Sequence, residues 1–165
     1  MKRILAYLFI LTIFSGCYSF RGISIPVGAT SFFVNQVNIK ASGLLPPPDT
    51  PERFMEVLRQ KTRGQTTLKW NDRDPHIEFS GDIISYSVSQ IGAQEGDEVS
   101  LNQLTIGIAI EYINNLDPED TWKKNFTFGL PFDPSLDLSA VQDDLIDDIL
   151  DQIGENIIND AFTNW

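Results

Sequence analysis

Leu104-Thr105-Ile106-Gly107-Ile108-Ala109-Ile110-Glu111-Tyr112 carries a large apolar side chain at every second position and a small or polar one between. Successive side chains of a strand point to opposite faces, so Leu104, Ile106, Ile108, Ile110 and Tyr112 line one face while Thr105, Gly107, Ala109 and Glu111 line the other. The polar run from Asn114 to Asp120, with Pro118 inside it, turns the chain back. Trp122, Lys124, Phe126 and Phe128 then alternate with Lys123, Asn125 and Thr127. Together the two runs predict an antiparallel hairpin with one apolar and one polar face, and the apolar face requires a second layer.

The C-terminal part of the chain supplies that layer. Leu138, Val141, Leu145, Ile149, Ile153, Ile157 and Ala161 recur at spacings of three and four, with Ile146, Leu150, Ile158 and Phe162 in the row beside them. This is the stripe of a long helix that buries itself on a sheet. Ser139 and Gln142 have the spacing of a capping box at its start. Gly129 to Leu138, with Pro131 and Pro134, reads as the connector before it. The opposite side of the helix carries Asp143, Asp144, Asp147, Asp148, Asp151 and Glu155. A solvated acidic face explains them better than a calcium site, which gathers its oxygens from a wrapping loop.

Upstream of the hairpin, Ile77 to Ile91 alternates with a change of phase: Ile77 and Phe79 are odd, whereas Ile84, Tyr86 and Val88 are even. Gly81 is the expected place for a bulge that absorbs the extra residue. Gly92 to Ser100 is a connecting loop, Thr66 to Trp70 a short strand, and Asn71 to Pro75 a polar turn. Thr50 as cap, Pro51 in the first turn and Glu52 at the positive end of the dipole predict a helix from about Pro51 to Thr62. Its Phe54, Val57 and Leu58 face inward, and Lys61 can lay its stem along an apolar edge. Thr30 to Ile39, rich in β-branched and aromatic residues, is the first strand.

The chain begins with Lys2 and Arg3, an apolar run from Ile4 to Phe14 broken by Thr12, and then Ser15-Gly16-Cys17. This is the layout of a signal peptide, and the run is shorter than the roughly 20 residues a membrane-crossing helix needs. Small residues directly before Cys17 are similar to the lipobox of bacterial lipoproteins, in which a peptidase cuts before an already diacylated cysteine that becomes the first residue. The alternative is ordinary secretory cleavage with an incidental cysteine, which the bulk of Phe14 three positions before the cut disfavours. Residues 1–16 are thus expected to be a signal peptide, 17–29 a lipidated Cys17 and tether, and 30–165 a single domain. Acyl chains on one cysteine anchor stably, each buried methylene contributing ~0.8 kcal/mol.

Cys17 is the sole cysteine among 165 residues, so neither an internal disulfide nor a cysteine metal site is expected. The whole chain has 12 Lys and Arg against 23 Asp and Glu, a net charge of −11. Loss of Lys2 and Arg3 with the signal makes the rest more acidic still. Such a balance argues against nucleic acid, which demands cationic neutralisation of phosphates, and against attachment to anionic lipid by charge alone. His76, in a turn beside Pro75 and read as a surface residue, has no second imidazole to complete a zinc set. Neither a glycine-rich phosphate loop nor a nucleophile elbow occurs in the sequence. The expectation is a protein that is not an enzyme and uses no metal or other cofactor.

Several segments carry a resemblance. They are Cys17-Tyr18-Ser19-Phe20 with Gly22 to Pro26, Phe79 to Ile83 with Tyr86-Ser87-Val88, Leu101 to Ile106, and Ile157 to Trp165. In that order, on a strand, helix, four strands and helix behind a lipobox, the chain resembles the LptE family of lipopolysaccharide-assembly lipoproteins in its Bacteroidetes-type form. The resemblance implies an α+β two-layer sandwich, a mixed four- to five-stranded sheet with two helices on one face. It also implies residence in the outer membrane on the periplasmic side, and a partner, the LptD-like β-barrel, whose lumen the lipoprotein plugs. Lipopolysaccharide is a candidate ligand. Trp122, Lys123 and Lys124, a tight basic-aromatic cluster, are nominated as the glycolipid contact, against a simple solvated hairpin turn. Two other classes stay open: an auxiliary lipoprotein of another envelope lipid-transport complex, and a glycan-binding lipoprotein.

Overall fold

In a computed structural model that describes residues 23–92 and 100–163, β5 (Leu101–Asn114) lies between β4 (Ile77–Ile91) and β6 (Trp122–Phe132), antiparallel to both. The alternation sorts as expected: Leu104, Ile106, Ile108, Ile110 and Tyr112 are all buried. Asn114 shapes the turn, its Oδ1 accepting from the Leu116 and Asp117 N–H groups at 3.0 and 3.2 Å, and a short 3-10 turn at Pro118–Asp120 completes it.

On the other side of β4 the sheet becomes parallel. Strands β1 (Ser31–Val34) and β2 (Asn38–Ile39) run end to end along β4, and β3 (Lys69–Trp70) lies outside β1. The order is β3-β1-β4-β5-β6 with β2 also on β4. Six strands therefore fill five positions of a mixed sheet. Helices α1 (Thr50–Gln65) and α2 (Leu138–Phe162) pack on one face of it, giving the expected α+β two-layer arrangement. Buried Phe54 and Leu58 of α1 and Ile149, Ile153, Ile157 and Phe162 of α2 close one continuous core with the sheet.

Local expectations need correction. The register irregularity of β4 falls between Ile83 and Ser85, not at Gly81, which pairs in register with Ile110. Ile84 is the extra residue and is exposed, while Ile83 and Tyr86 on either side are buried. Gly81 answers a different need: a Cβ there would lie 2.7 Å from Ile110 Cδ1. The single strand expected over 30–39 is broken after Val34, where the Asn35 side chain turns to Glu78 Oε2 and Ser80 Oγ at 3.0 and 3.1 Å. The strand expected over 66–70 shrinks to its last two residues, because Thr66 bonds back to the Thr62 carbonyl at 2.6 Å and ends α1.

Both helix starts differ as well. Thr50 is the first residue of α1 and fully buried, with Asp49 at the cap, and α2 begins after Asp137, so Ser139 lies inside the helix and forms no capping box. Strand β6 runs on to Phe132 through Pro131, residues read as a connector; an edge strand tolerates a proline whose missing N–H would face solvent. His76 is half-buried rather than superficial, its Nδ1 accepting the Thr30 N–H at 3.1 Å.

The two helices run alongside each other and are laced by charge. Arg53 reaches Asp143 Oδ1 at 3.3 Å, the Asp143 carbonyl at 2.9 Å and, through Nε, Asp147 Oδ1 at 3.0 Å. Lys61 Nζ lies 2.9 Å from Asp151 Oδ1 and 3.2 Å from Glu155 Oε2. Burial alone would lower the pKa of each cation, but the hydrogen-bonded carboxylates outweigh it and leave both raised. Asp143, Asp147, Asp151 and Glu155 of the acidic helix face are thereby tied to α1, and Asp144 and Asp148 lie exposed beside them.

Candidate functional site

The residues nominated from sequence lie at one end of the molecule. Ser24 donates its N–H to the Phe162 carbonyl at 2.6 Å, so the chain enters the fold beside the C-terminus of α2. The β5–β6 turn is at this end too: Tyr112 stacks on Trp122, centroids 5.3 Å apart and planes 15° apart, and meets Phe162 edge-on at 6.2 Å. Cys17, the signal peptide and the first part of the tether lie outside the described residues, as does most of the loop over 92–100.

Strand alternation divides the cluster. Trp122 and Lys124 share the helix-side face, where Lys124 Nζ sits 5.0 Å from the Trp122 ring centre and 2.9 Å from Asp160 Oδ2. Lys123 points to the open face and pairs with Glu111 Oε1 at 3.1 Å. Adjacent in sequence, the two lysines are presented to opposite sides. Lys124 is held by a ring and a carboxylate, each contact being modest at an exposed site. The sequence reading missed Tyr112 and Asp160 as partners; the Tyr112–Trp122 pairing across the turn was the available signal.

Burial first, and the nearby Asp120 carboxylate second, push the Tyr112 phenol up. Tyr86, whose hydroxyl is likewise buried, is raised by burial and then by Asp143.

The open side of the sheet is the other broad surface. Ser80, Asp82, Ala109, Glu111, Lys123 and Asn125 border a shallow depression of about 380 Å³ on it. Two ion pairs frame it, Lys40 Nζ to Asp82 Oδ2 at 2.8 Å and Lys123 to Glu111. A second groove of about 560 Å³ runs between α1 and the β1–β3 edge, past Met55, Val57, Arg59 and Trp70. Arg59 lies over the Trp70 ring at 5.6 Å. Among the described residues, no cluster of three or more His, Cys, Asp or Glu could hold a metal, and no helix is long and apolar enough to cross a membrane. These surfaces offer hydrogen bonds, rings and paired charges.

Two of the similar solved structures share the fold. A hypothetical protein from Chlamydia trachomatis superposes with a TM-score of 0.57 at 8% identity, covering 82% of this chain and 99% of its own. A Xanthomonas campestris protein of the DUF330 family gives 0.52 at 12% identity, covering 82% and 87%. A minor lipoprotein from Acinetobacter baumannii gives 0.43 at 12% identity, covering 76% and 94%. No curated protein matches the chain in sequence. The family model described as LptE, lipopolysaccharide-assembly, matches residues 31–161, from the first residue of β1 almost to the end of α2, and the chain belongs to that family.

Proposed function

We propose that this chain is an outer-membrane lipoprotein that plugs an LptD-like β-barrel and assists its assembly for lipopolysaccharide transport to the cell surface. Residues 1–16 direct export and are removed, Cys17 carries the acyl anchor on the periplasmic side, residues 17–29 are the tether, and 30–165 are the plug. The family match over residues 31–161 carries this reading. The sequence agrees with it through Ser15-Gly16-Cys17. The polar outer surface suits a lumen that is wet and polar in outer-membrane barrels. The role is one of binding and positioning, without catalysis.

The glycolipid contact is proposed at the end where the tether enters, with Trp122 and Lys124 on one face and Lys123 on the other. Purified lipopolysaccharide should bind the wild-type protein and bind the Lys123→Ala/Lys124→Ala variant more weakly; equal binding removes the nomination. For the function as a whole, depletion of the chain in its own bacterium should lower both the assembled barrel and the lipopolysaccharide at the surface. Unchanged surface lipopolysaccharide after depletion contradicts the assignment.

A further inference from the structure

The face of β4, β5 and β6 turned away from the helices differs chemically from the rest of the surface. The register sets five rows of three across it, from Ser80–Glu111–Lys123 through Ser85–Gly107–Thr127 to Ser89–Gln103–Pro131. Only Asp82, Glu111 and Lys123 in this grid are charged; Glu111 and Lys123 pair with each other and Asp82 with Lys40. A chain with a net charge of −11 thus keeps one broad face close to neutral and concentrates carboxylates on the helix layer.

Side-chain length is the second difference. Serine, threonine, glycine, alanine and asparagine fill most of the grid, whereas the helix layer presents Asp, Glu, Gln and Arg. Short side chains have little rotamer freedom to lose on association, while each long one immobilised costs about 0.5–1.5 kcal/mol. Over β5 and β6 the face is also smooth. Glycine inside a strand is unfavourable, yet Gly107 and Gly129 sit within β5 and β6 with neighbouring side chains folded over them. A Cβ on Gly107 would collide with Ser85 Oγ, and one on Gly129 would lie 2.7 Å from Thr105 Oγ1 and 2.8 Å from Gln103 Nε2. The bare backbone is roofed by hydroxyls and an amide, and Ile84, the extra residue of β4, adds one exposed apolar side chain beside the middle row.

From this we infer that the open sheet face is the surface that docks against the wall of the barrel lumen, leaving the acidic helices toward its water. The inference rests on the plug reading above. Hydroxyls and amides both donate and accept, so they match a polar wall directly or through bridging water. Docking a nearly neutral face also spares the cost of stripping water from unpaired carboxylates, which docking the helix face would incur.

The test uses the full-length, lipidated chain in its own bacterium, with the photo-crosslinker benzoylphenylalanine placed at Ser87, Thr105 or Thr127, or at Asp144 or Asp148. Adducts with the barrel subunit should form from the three sheet positions and not from the two helix positions. Adducts from the helix positions alone, or from none although the unsubstituted chain co-purifies the barrel, overturn the inference. If the unsubstituted chain brings down no barrel, the plug reading itself fails and the inference falls with it. As a second readout, Thr105→Lys/Thr127→Lys should cut barrel co-purification by about tenfold or more, the effect of losing ~1.4 kcal/mol, whereas Asp144→Lys/Asp148→Lys should not. Equal retention by both variants, each folded by circular dichroism, also overturns it.

Discussion

Gly154→Ala sets two effects of opposite sign against each other at the crossing of the helices. Gly154 is buried in the interior of α2, where alanine is favoured over glycine by about 1 kcal/mol on helix propensity alone. The added Cβ would lie 2.7 Å from Val57 Cγ1 and 3.2 Å from Lys61 Cδ, whereas carbon atoms prefer about 3.5–4.0 Å. Val57 is stiff at χ1, and Lys61 is tied by its ammonium to Asp151 and Glu155, so neither neighbour yields freely. Overpacking of this kind costs about 1–3 kcal/mol, with about 2 as its midpoint. The net expectation is destabilisation by about 1 kcal/mol, read as a lower urea midpoint at unchanged slope. In a Val57→Ala background, where the closest collision is gone and only the Lys61 stem must shift, Gly154→Ala should instead stabilise, by up to about 1 kcal/mol. A stabilising effect in the wild-type background would refute the close helix contact.

Other expectations can be checked alongside it. Arg53→Ala should destabilise by about 1 kcal/mol, because its carboxylate partners are largely exposed; the loss should shrink in 1 M salt, at a Debye length of about 3 Å, and a salt-independent loss would argue against an ionic cause. The raised values of Lys61 and Tyr112 mean that the folded state keeps protons that the unfolded chain releases from about pH 10 upward. Their stabilisation is present below that pH and lost as the pH rises through the folded-state values; Tyr112→Phe should flatten the decline between about pH 10 and pH 12 in denaturant titrations. Cys17→Ser should move the protein from the membrane pellet to the soluble periplasmic fraction, and continued pelleting would remove Cys17 as the anchor.

The central hairpin and the long helix could be read from sequence because each owes its form to one local periodicity: alternation in Leu104–Tyr112, and three-four spacing from Leu138 to Ala161. Features that depend on distant partners could not. The extra residue in β4 is Ile84 rather than a glycine, because what decides it is which of Ile83 and Ile84 faces the helices across from Ile108. The parallel β3-β1-β4 order follows from the chain passing over the sheet through α1, which no local pattern encodes. Caps failed for a related reason: Thr50 and Ser139 have the right chemistry, but core packing draws Thr50 inward, and both helices start one or two residues earlier than those caps require. At the nominated contact, adjacency suggested that Lys123 and Lys124 act together, although strand alternation already implied opposite faces.

The central claim is a partnership, and the most direct measurement is affinity purification of the full-length, lipidated chain from detergent-extracted outer membrane, with mass spectrometry of its companions. For that partnership, one large β-barrel protein should be recovered in stoichiometric amount and stay bound in high salt, since screening should not dissolve an interface built on a near-neutral face. Recovery of a different transport complex, or of the chain alone, would contradict it.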